Sequence, residues 1–178
     1  MSHFFGPVSQ IGYVVADFDR AMEYWLNTMG CGPIFVARQV TIRNFRYRGQ
    51  ASDPDLTVGF VQNGAIQVEF IRQNNDAPSS WRDFLAEGPE GLQHVAYWTR
   101  MFDDHMAAAT AKAGLEPEMT GQSGQEGGLN ERFVYFRNSG PRGMMIELSE
   151  VVGPKGDNYR RIAEAARDWD GKDPVRYL

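Results

Sequence analysis

The sequence predicts an α+β fold in which one structural unit occurs twice. When the segments that begin at Gln10 and His94 are written in register, 84 residues apart, landmark residues of the two segments coincide. The matched pairs are Tyr13 and Tyr97, Phe18 and Phe102, Asp19 and Asp103, Met22 and Met106, Gly30 and Gly114, and Pro33 and Pro117. Self-similarity at about half the chain length indicates a duplicated unit, because arrays of short repeats have much shorter periods.

Each copy predicts one strand, then one helix, then further strands. The helix is predicted to begin at an aspartate N-cap, Asp19 or Asp103, and to stop at a glycine that a proline soon follows. Apolar residues recur at helical spacing after the cap: Met22, Trp25, Leu26 and Met29 in the first copy, and Met106, Ala109 and Ala113 in the second. We interpret both stripes as core positions.

The predicted elements divide the chain into four segments. Residues 1–72 form the first module, with strands near Val8–Val15, Arg38–Arg46, Leu56–Gln62 and Ala65–Ile71. Residues 73–91 form a linker whose short helix is capped by Ser79. Residues 92–152 form the second module, with later strands near Glu116–Met119, Arg132–Phe136 and Met144–Glu150. Residues 153–178 form a tail with an amphipathic helix between Asp157 and Asp170.

Two connections are marked by their composition. Asn63-Gly64 lies between two predicted strands and is typical of a tight hairpin. The segment from Gly121 to Gly128 has too many glycines for regular structure and predicts a loop.

Composition and charge limit the classes of function. The chain has 178 residues, 42% of them hydrophobic, which is enough for one domain with a sizeable core. The formal net charge of -5 disfavours a nucleic-acid or anionic-membrane surface, because both require clustered Lys and Arg. Cys31 has no second cysteine to pair with, and the sequence shows no basic leader or long apolar run. We therefore expect an unprocessed cytoplasmic protein with no membrane and no nucleic-acid partner.

Four residues with metal-binding side chains lie in strand-like segments of the two copies: Gln10, Glu69, His94 and Glu147. Large apolar residues flank each of them, so alternation along a strand directs the chelators to one face of the sheet. Because unpaired buried carboxylates are costly, the pattern predicts one divalent metal ion per chain. Two carboxylates, one imidazole and one amide suit Zn, Co, Ni, Mn or Mg better than Cu(I) or an iron–sulfur cluster.

These motifs resemble the vicinal oxygen chelate superfamily, which includes glyoxalase I, methylmalonyl-CoA epimerase, extradiol dioxygenases and bleomycin-resistance proteins. The resemblance covers most of residues 7–152 and rests on Gln10-Ile11-Gly12-Tyr13-Val14-Val15, Ile66-Gln67-Val68-Glu69-Phe70-Ile71, Leu92-Gln93-His94-Val95-Ala96-Tyr97 and Met145-Ile146-Glu147-Leu148. It implies two βαβββ modules that form a cupped mixed sheet, followed here by a C-terminal helical tail. It also implies that the four chelators are the metal ligands.

Two other segments resemble particular branches of the superfamily. Gly127-Gly128 before Arg132–Phe136 is similar to the epimerases, and the tail from Trp169 to Arg176 is similar to glyoxalase-like proteins. The ligand set with Gln10 resembles the eukaryotic type of glyoxalase I, whereas most epimerases have a histidine there. The epimerases also use a catalytic glutamate that would fall near Gly59, where this chain has no acidic residue.

The resemblance implies a metal-dependent isomerase, epimerase or lyase. Such an enzyme removes a proton next to a carbonyl and stabilises the resulting enediolate on the metal. Glu147 and Glu69 are the catalytic candidates, because a carboxylate has to accept that proton. The expected substrate is a small molecule: an acyl-thioester, a hemithioacetal, or a 2-oxo or 2-hydroxy compound.

Two other classes of function stay open. An extradiol-type ring-cleaving dioxygenase would share the fold, although non-haem iron oxygenases favour two histidines and one carboxylate, and Gln10 does not fit that set. A metal-free binding or resistance protein would also share the fold, but its chelator positions usually become apolar.

Further residues are predicted to contact a substrate or a partner. The candidate substrate-binding residues are Arg46, Trp98 and Tyr13. Arg38, Arg43 and Arg48 lie on or just beyond the strand that contains Arg46, and this strand either holds an anionic group or faces solvent. The apolar face of the tail helix predicts a homodimer or, alternatively, docking on the chain's own sheet; its residues are Tyr159, Ile162, Ala163 and Ala166.

Overall fold

One mixed sheet of eleven strands forms the body of the computed structural model, which describes residues 2–40, 42–124 and 131–178. The strands are β1 (Gln10–Val14), β2 (Ile34–Val40), β3 (Arg43–Tyr47), β4 (Gln50–Ala51), β5 (Leu56–Asn63), β6 (Ile66–Gln73), β7 (Gly91–Thr99), β8 (Pro117–Gln122), β9 (Arg132–Phe136), β10 (Met145–Glu150) and β11 (Val175–Tyr177). Their order across the sheet is β11-β2-β5-β6-β1-β7-β10-β9-β8-β3-β4.

Four helices pack on this sheet within the described residues: α1 (Phe18–Glu23, continued by a π-helix over Tyr24–Thr28), α2 (Ser80–Glu87), α3 (Phe102–Ala113) and α4 (Gly153–Arg167). Together with the large curved sheet, they confirm the predicted α+β fold class. None of the helices in the described ranges is both long and apolar enough to cross a membrane.

The two copies of the repeat meet at the centre of the sheet, where β1 and β7 are antiparallel. Gln10 lies opposite Ala96, and Gly12 lies opposite His94. Since the repeat matches Gln10 with His94 and Gly12 with Ala96, this pairing relates the two copies by an approximate twofold axis. Strand β6 flanks β1 and strand β10 flanks β7, both in parallel.

Helices α1 and α3 cover the outer face of the sheet, one for each copy. Trp25 is buried against Phe70 of β6, and Ala109 of α3 packs in a cluster with residues of β9 and β10. Met22 and Leu26 of the predicted stripe join the first cluster, as expected. Met29 does not, because the π-helix changes the angular position of later residues and leaves it 44% exposed.

Helices α2 and α4 pack on the inner face, where the largest apolar cluster lies. Trp81 and Phe84 of α2 and Tyr159 and Ile162 of α4 are buried there together with inward residues of the sheet. The apolar face of the tail helix is therefore covered by the chain's own sheet. This arrangement is the docking alternative, so the apolar face of the tail helix no longer supports a homodimer.

The prediction of a single strand over Arg38–Arg46 is wrong. Strand β2 ends at Val40 and pairs with β5, whereas β3 begins at Arg43 and pairs with β8 of the second copy. Positive φ values at Gln39 (54°) and Asn44 (52°) accompany register shifts in both pairings. The two strands consequently lie in opposite halves of the sheet, and β3 extends the second half.

The predicted helix boundaries also need correction. Asp17, not Asp19, caps α1, and its carboxylate accepts a hydrogen bond from the Arg20 amide at 3.0 Å. Helix α3 has Met101 at its N-cap without a side-chain hydrogen bond, and Asp103 lies in its first turn. The tail helix begins at Gly153 instead of Asp157. By contrast, Ser79 caps α2 as predicted.

Two predicted loops have different outcomes. The Asn63-Gly64 hairpin forms, with Gly64 at a positive φ of 60° between β5 and β6. Gly121 and Gln122 of the predicted glycine-rich loop belong to β8, and Gly127-Gly128 lies outside the described residues.

Candidate functional site

Three predicted metal ligands meet on the inner face of the sheet. Glu69, His94 and Glu147 each offer a ligand atom, and these atoms all lie within 4.8 Å of one another. The Nε2 of His94 lies 3.4 Å from Oε2 of Glu69 and 3.3 Å from Oε2 of Glu147. All three side chains are buried. Such short separations among acceptor atoms are those expected of groups that share one cation.

The register of the central strands explains this convergence. Gly12 of β1 lies between Glu69 of β6 and His94 of β7, and cross-strand neighbours point to the same face. Glu147 of β10 lies one row away, next to Ala96. A Cβ atom at Gly12 would overlap the imidazole ring of His94. The glycine at position 12 therefore provides the space that the His94 ring occupies beside the two carboxylates.

Gln10 is buried on the same face and occupies the row that contains Glu147. Its side chain is 1% exposed, and its Nε2 donates a hydrogen bond to Oε1 of Gln67 at 2.8 Å. This hydrogen bond uses one amide hydrogen and leaves the Gln10 Oε1 able to accept. The structure thus places Gln10 beside the three-residue cluster and fixes its amide, while its assignment as the fourth ligand stays a proposal.

A bulge in β7 sets the orientation of His94. The pairing with β1 skips Gln93, so Gln93 and His94 are both buried although they are adjacent in sequence. Oε1 of Gln93 lies 2.8 Å from Nδ1 of His94. Because a carbonyl oxygen only accepts, the proton belongs on Nδ1, which leaves the Nε2 lone pair directed at the two glutamates. This is the tautomer that a metal ligand at Nε2 requires.

The electrostatics of the cluster fit a divalent cation. Glu147 Oε2 is buried and has no hydrogen-bond partner among the described residues. Burial raises the pKa of Glu69; the nearby His94 partly offsets this, and the Glu147 carboxylate reinforces it. Two adjacent buried carboxylates are costly as a bare pair, and a divalent ion supplies the positive charge they lack. The donors of Glu69, His94 and Glu147, with Gln10 beside them, therefore suit the metals named above.

A cavity of about 1380 Å³ opens onto Glu69 and Glu147. Its walls are largely apolar and include Val58, Phe60 and Phe133. Tyr135 lines this cavity, and its hydroxyl lies 3.5 Å from Nε2 of His94. Burial raises the pKa of Tyr135 well above its ordinary value, and the charges of Glu147 and Glu69 add to the effect, so the phenol stays protonated. The cavity can accept a partly apolar small molecule.

Helix α4 closes one side of this cavity with Lys155 and Tyr159. Lys155 Nζ donates to Oγ of Ser149 at 2.7 Å. Burial lowers the pKa of Lys155, and the carboxylates of Glu147 and Glu69 oppose that shift. Tyr159 packs against Phe60 and Trp98, with ring centroids 5.5 and 4.7 Å away, so the start of α4 is fixed against the sheet.

The other predicted substrate-binding residues lie away from the cluster. Tyr13 is on the outer face, where its ring meets Trp25, because odd positions of β1 point away from Gln10. Arg46 is exposed and donates to the carbonyl of Gly49. Trp98 packs under α4 against Tyr159. Arg48 forms ion pairs with Glu118 and Asp83. Of the arginines predicted near this strand, Arg38 and Arg43 line the cavity, whereas Arg46 and Arg48 do not.

Several site residues were missed by reasoning from the sequence. Alternation along a strand places Gln93 on the opposite face from His94, and only the bulge reverses this. Lys155 precedes the tail helix predicted between Asp157 and Asp170, so it was not considered as a helical residue. Proline in the first turn is a recognised helix-start signal, so Pro154 could have revealed that Lys155 is helical.

The comparison with protein families agrees with this architecture. The model described as the Glyoxalase/Bleomycin resistance protein/Dioxygenase superfamily matches residues 9–136. The chain belongs to this superfamily, as the resemblance of its motifs predicted. No curated protein matches the sequence.

Solved structures share the fold at low sequence identity. A hypothetical protein from Bacillus halodurans has a TM-score of 0.54 and 14% identity, covering 83% of this chain and 95% of its own. Methylmalonyl-CoA epimerase from Mycobacterium tuberculosis has a TM-score of 0.53 and 21% identity, covering 89% and 95%. A selenomethionine methylmalonyl-CoA epimerase has a TM-score of 0.53 and 18% identity, covering 86% and 100%. At these identities the likeness concerns the fold alone.

Proposed function

We propose that the protein is a metal-dependent isomerase, epimerase or lyase that removes a proton next to a carbonyl group. The observation that carries this proposal is the buried convergence of Glu69, His94 and Glu147 at the wall of a small-molecule cavity. When bound there, a divalent ion supplies Lewis-acid stabilisation of the negative charge that proton removal creates.

The residues of the chain supply the base. Glu147 is the first candidate because its Oε2 faces the cluster without a hydrogen-bond partner, whereas Glu69 shares the same surroundings as a second candidate. The Tyr135 hydroxyl stays protonated 3.5 Å from Nε2 of His94, and in this proposal it donates a hydrogen bond to an oxygen of the bound substrate. A substrate whose apolar body packs against Val58, Phe60 and Phe133 would displace water from the cluster, and this would strengthen each of these interactions.

Strand β5 places no acidic side chain opposite the cluster. Gly59 lies on the outer face, where an added Cβ would meet Phe18 and Phe70. The cavity-facing positions of β5 are Leu56, Val58 and Phe60, none of which can transfer a proton. This arrangement supports a reaction in which the glutamates of the cluster transfer the proton. It disfavours a reaction that needs a separate carboxylate on β5, and therefore disfavours methylmalonyl-CoA as the substrate.

The alternative functions differ in what the cluster must contain. A ring-cleaving dioxygenase favours two histidines and one carboxylate, whereas this cluster has one histidine and two glutamates. A metal-free binding protein has no need of two carboxylates beside a fixed histidine tautomer. Cytoplasmic location, a homodimer and an acyl-thioester, hemithioacetal, or 2-oxo or 2-hydroxy substrate remain proposals that accompany the main one.

Proton exchange with solvent is the test of this function. Metal-loaded protein in deuterated buffer is incubated with a panel of acyl-CoAs, glutathione hemithioacetals, 2-oxo acids and catechols, and the substrates are followed by proton NMR. We expect loss of an α-proton signal from one carbonyl compound, and none after the metal is removed. Oxygen consumption with a catechol, without exchange in any carbonyl compound, would instead identify the dioxygenase.

A further inference from the structure

Lys155 is a cation inside the cavity that the proposed proton transfer does not use. Its Nζ contacts Ser149, which follows Glu147 by two residues on β10 and therefore points to the same face. Residues two apart on a strand are separated by about 7 Å, so the ammonium lies roughly one row from the Glu147 carboxylate. Lys155 and the two glutamates line the same cavity.

The ammonium of Lys155 keeps donors free for a ligand. An ammonium has three N–H groups, and Ser149 Oγ accepts one of them. Within the ranges that the structure describes, Lys155 forms no ion pair at 4.0 Å or less. Its position is nevertheless well defined, because its backbone amide donates to Oε1 of Glu131 at 3.0 Å and Tyr159 anchors the next turn.

The rest of the cavity wall has a matching charge pattern. Arg38 and Arg43 line the cavity without an ion-pair partner among residues 2–40, 42–124 and 131–178, and Nε of Arg43 is buried without a hydrogen bond. The wall carries as many basic side chains as acidic ones, the acids being Glu69, Glu131 and Glu147. A divalent ion at the cluster would therefore leave the cavity with an excess of positive charge, which favours an anionic ligand.

We propose that Lys155 binds the carboxylate of an organic-acid substrate and holds it beside the cluster of Glu69, His94 and Glu147. The inference rests on the proposed function for its choice of site and narrows the substrate class to acids with an apolar body. The two free N–H groups of Lys155 bind the anionic oxygens, and the walls formed by Val58, Phe60 and Phe133 contact the hydrocarbon part. In this role Lys155 is a substrate-binding residue and leaves the proton transfer to the glutamates.

Paired probes that differ in charge test this proposal by binding alone. Octanoate and its neutral counterpart octanamide are titrated by calorimetry into the metal-loaded protein and its variants Lys155→Met and Lys155→Arg. We expect octanoate to bind the native protein at least about tenfold more tightly than octanamide, because only the carboxylate forms a charge-assisted hydrogen bond with the ammonium. Lys155→Met should reduce that preference about tenfold, with octanoate affinity falling much more than octanamide affinity, and Lys155→Arg should retain most of the preference.

The controls separate this role from others. Lys172→Met removes an exposed lysine that pairs with Asp170 and should leave both affinities unchanged. Metal content and the unfolding midpoint are measured for every variant; loss of bound metal in both Lys155→Met and Lys155→Arg would show that Lys155 serves the cluster and would overturn the proposal. Equal binding of the two probes by the native protein, no detectable octanoate binding, or an unchanged octanoate preference in Lys155→Met would overturn it as well.

This experiment and the proton-exchange experiment fail independently. If octanoate selectivity depends on Lys155 but no compound of the panel exchanges an α-proton, the carboxylate site is supported and the proposed reaction is rejected. Exchange in a carbonyl compound, with Lys155→Met indistinguishable from the native protein in octanoate binding, would sustain the reaction and reject the role of Lys155.

Discussion

At the scale of single residues, the smallest side chain of the site decides whether the cluster can form. Gly12 lies between Glu69 and His94 in the pairing of β6, β1 and β7, and the imidazole ring occupies the space that a Cβ would fill. Gly12 thus has a packing role that depends on contact with a candidate ligand. The effect of filling this space on metal binding can be measured separately from its effect on folding stability.

Substituting Gly12→Ala should displace His94 and weaken metal binding. We expect metal affinity to fall at least about tenfold, the scale seen when support of a ligand is lost. Overpacking should also lower the free energy of unfolding by roughly 1–3 kcal/mol. Gly140→Ala is the matched control because its added Cβ would approach Asn138 Oδ1 at 3.4 Å on the surface. Metal titration followed by urea unfolding measures both effects, and unchanged metal affinity in Gly12→Ala would contradict the packing role.

Glu147→Gln separates metal binding from basicity. The amide keeps an oxygen donor but cannot accept the proton, so we expect the metal to stay largely bound while exchange slows by roughly 10²–10⁴-fold. Glu69→Gln should have a smaller effect if Glu147 is the main base. Glu164→Gln, an exposed glutamate of α4, serves as the control. Proton NMR and metal analysis are the measurements; full exchange activity in Glu147→Gln would assign the base elsewhere.

At the scale of elements, the sequence predicts what depends on local periodicity. The repeat and the flanking apolar residues identify strands β1, β6, β7 and β10 and the face that carries Gln10, Glu69, His94 and Glu147. The bulge at Gln93 and the separate course of β2 and β3 depend on pairing between distant strands. A single sequence carries no direct signal for such pairing, since the same residues alternate equally well in either register.

A network of ion pairs connects α3, β9 and β10 at the end of the second copy. Arg132 donates to both carboxylate oxygens of Glu150, at 2.9 and 3.0 Å, and pairs with Asp103 of α3 at 2.8 Å. The Arg132 hydrogen bonds lower the pKa of Glu150. The side chain of Glu150 is only 8% exposed, so its charge depends on this partner.

Arg132→Met should lower stability in a pH-dependent way. In the native protein the depressed folded pKa of Glu150 contributes stability above the unfolded value of about 4.3, and this contribution is lost as the pH falls through the folded pKa. The variant leaves a buried unpaired carboxylate, which should cost roughly 1.5–3 kcal/mol at pH 7. The deficit should shrink as the pH falls towards 4, because the unpaired Glu150 of the variant then protonates and its burial costs less. The native ion pair loses its contribution only at still lower pH, where the depressed folded pKa lies.

Urea unfolding at pH 7, 5.5 and 4 measures this dependence. Arg160→Met, which removes an exposed pair with Asp157, should stay within about 0.5 kcal/mol of the native protein at each pH. A deficit of the same size at all three pH values would show that Arg132 stabilises the fold through packing and not through the charge of Glu150.

At the scale of the whole molecule, the cluster joins the two copies of the repeat. Glu69 belongs to the first copy, whereas His94 and Glu147 belong to the second, and the four central strands meet along the approximate twofold axis. A metal ion that binds all three residues binds only the folded chain, because the unfolded chain does not bring them together. If the chain binds a metal ion as we propose, metal binding and global stability are coupled.

Removing the metal should consequently lower the unfolding temperature of the whole protein. An ion present at 100 times its dissociation constant stabilises the native state by about 2.7 kcal/mol. For a domain of this size that corresponds to a shift of roughly 5–10 °C. Calorimetry with and without a chelator measures the shift, and elemental analysis should find about one ion per chain. The double variant Glu69→Ala/His94→Ala should show the same unfolding temperature in both conditions, because Glu147 and Gln10 alone cannot hold the ion. If the double variant responded to the chelator as the native protein does, the stabilising ion would have to bind elsewhere, and the two copies would be held together by β1–β7 pairing and the inner core alone.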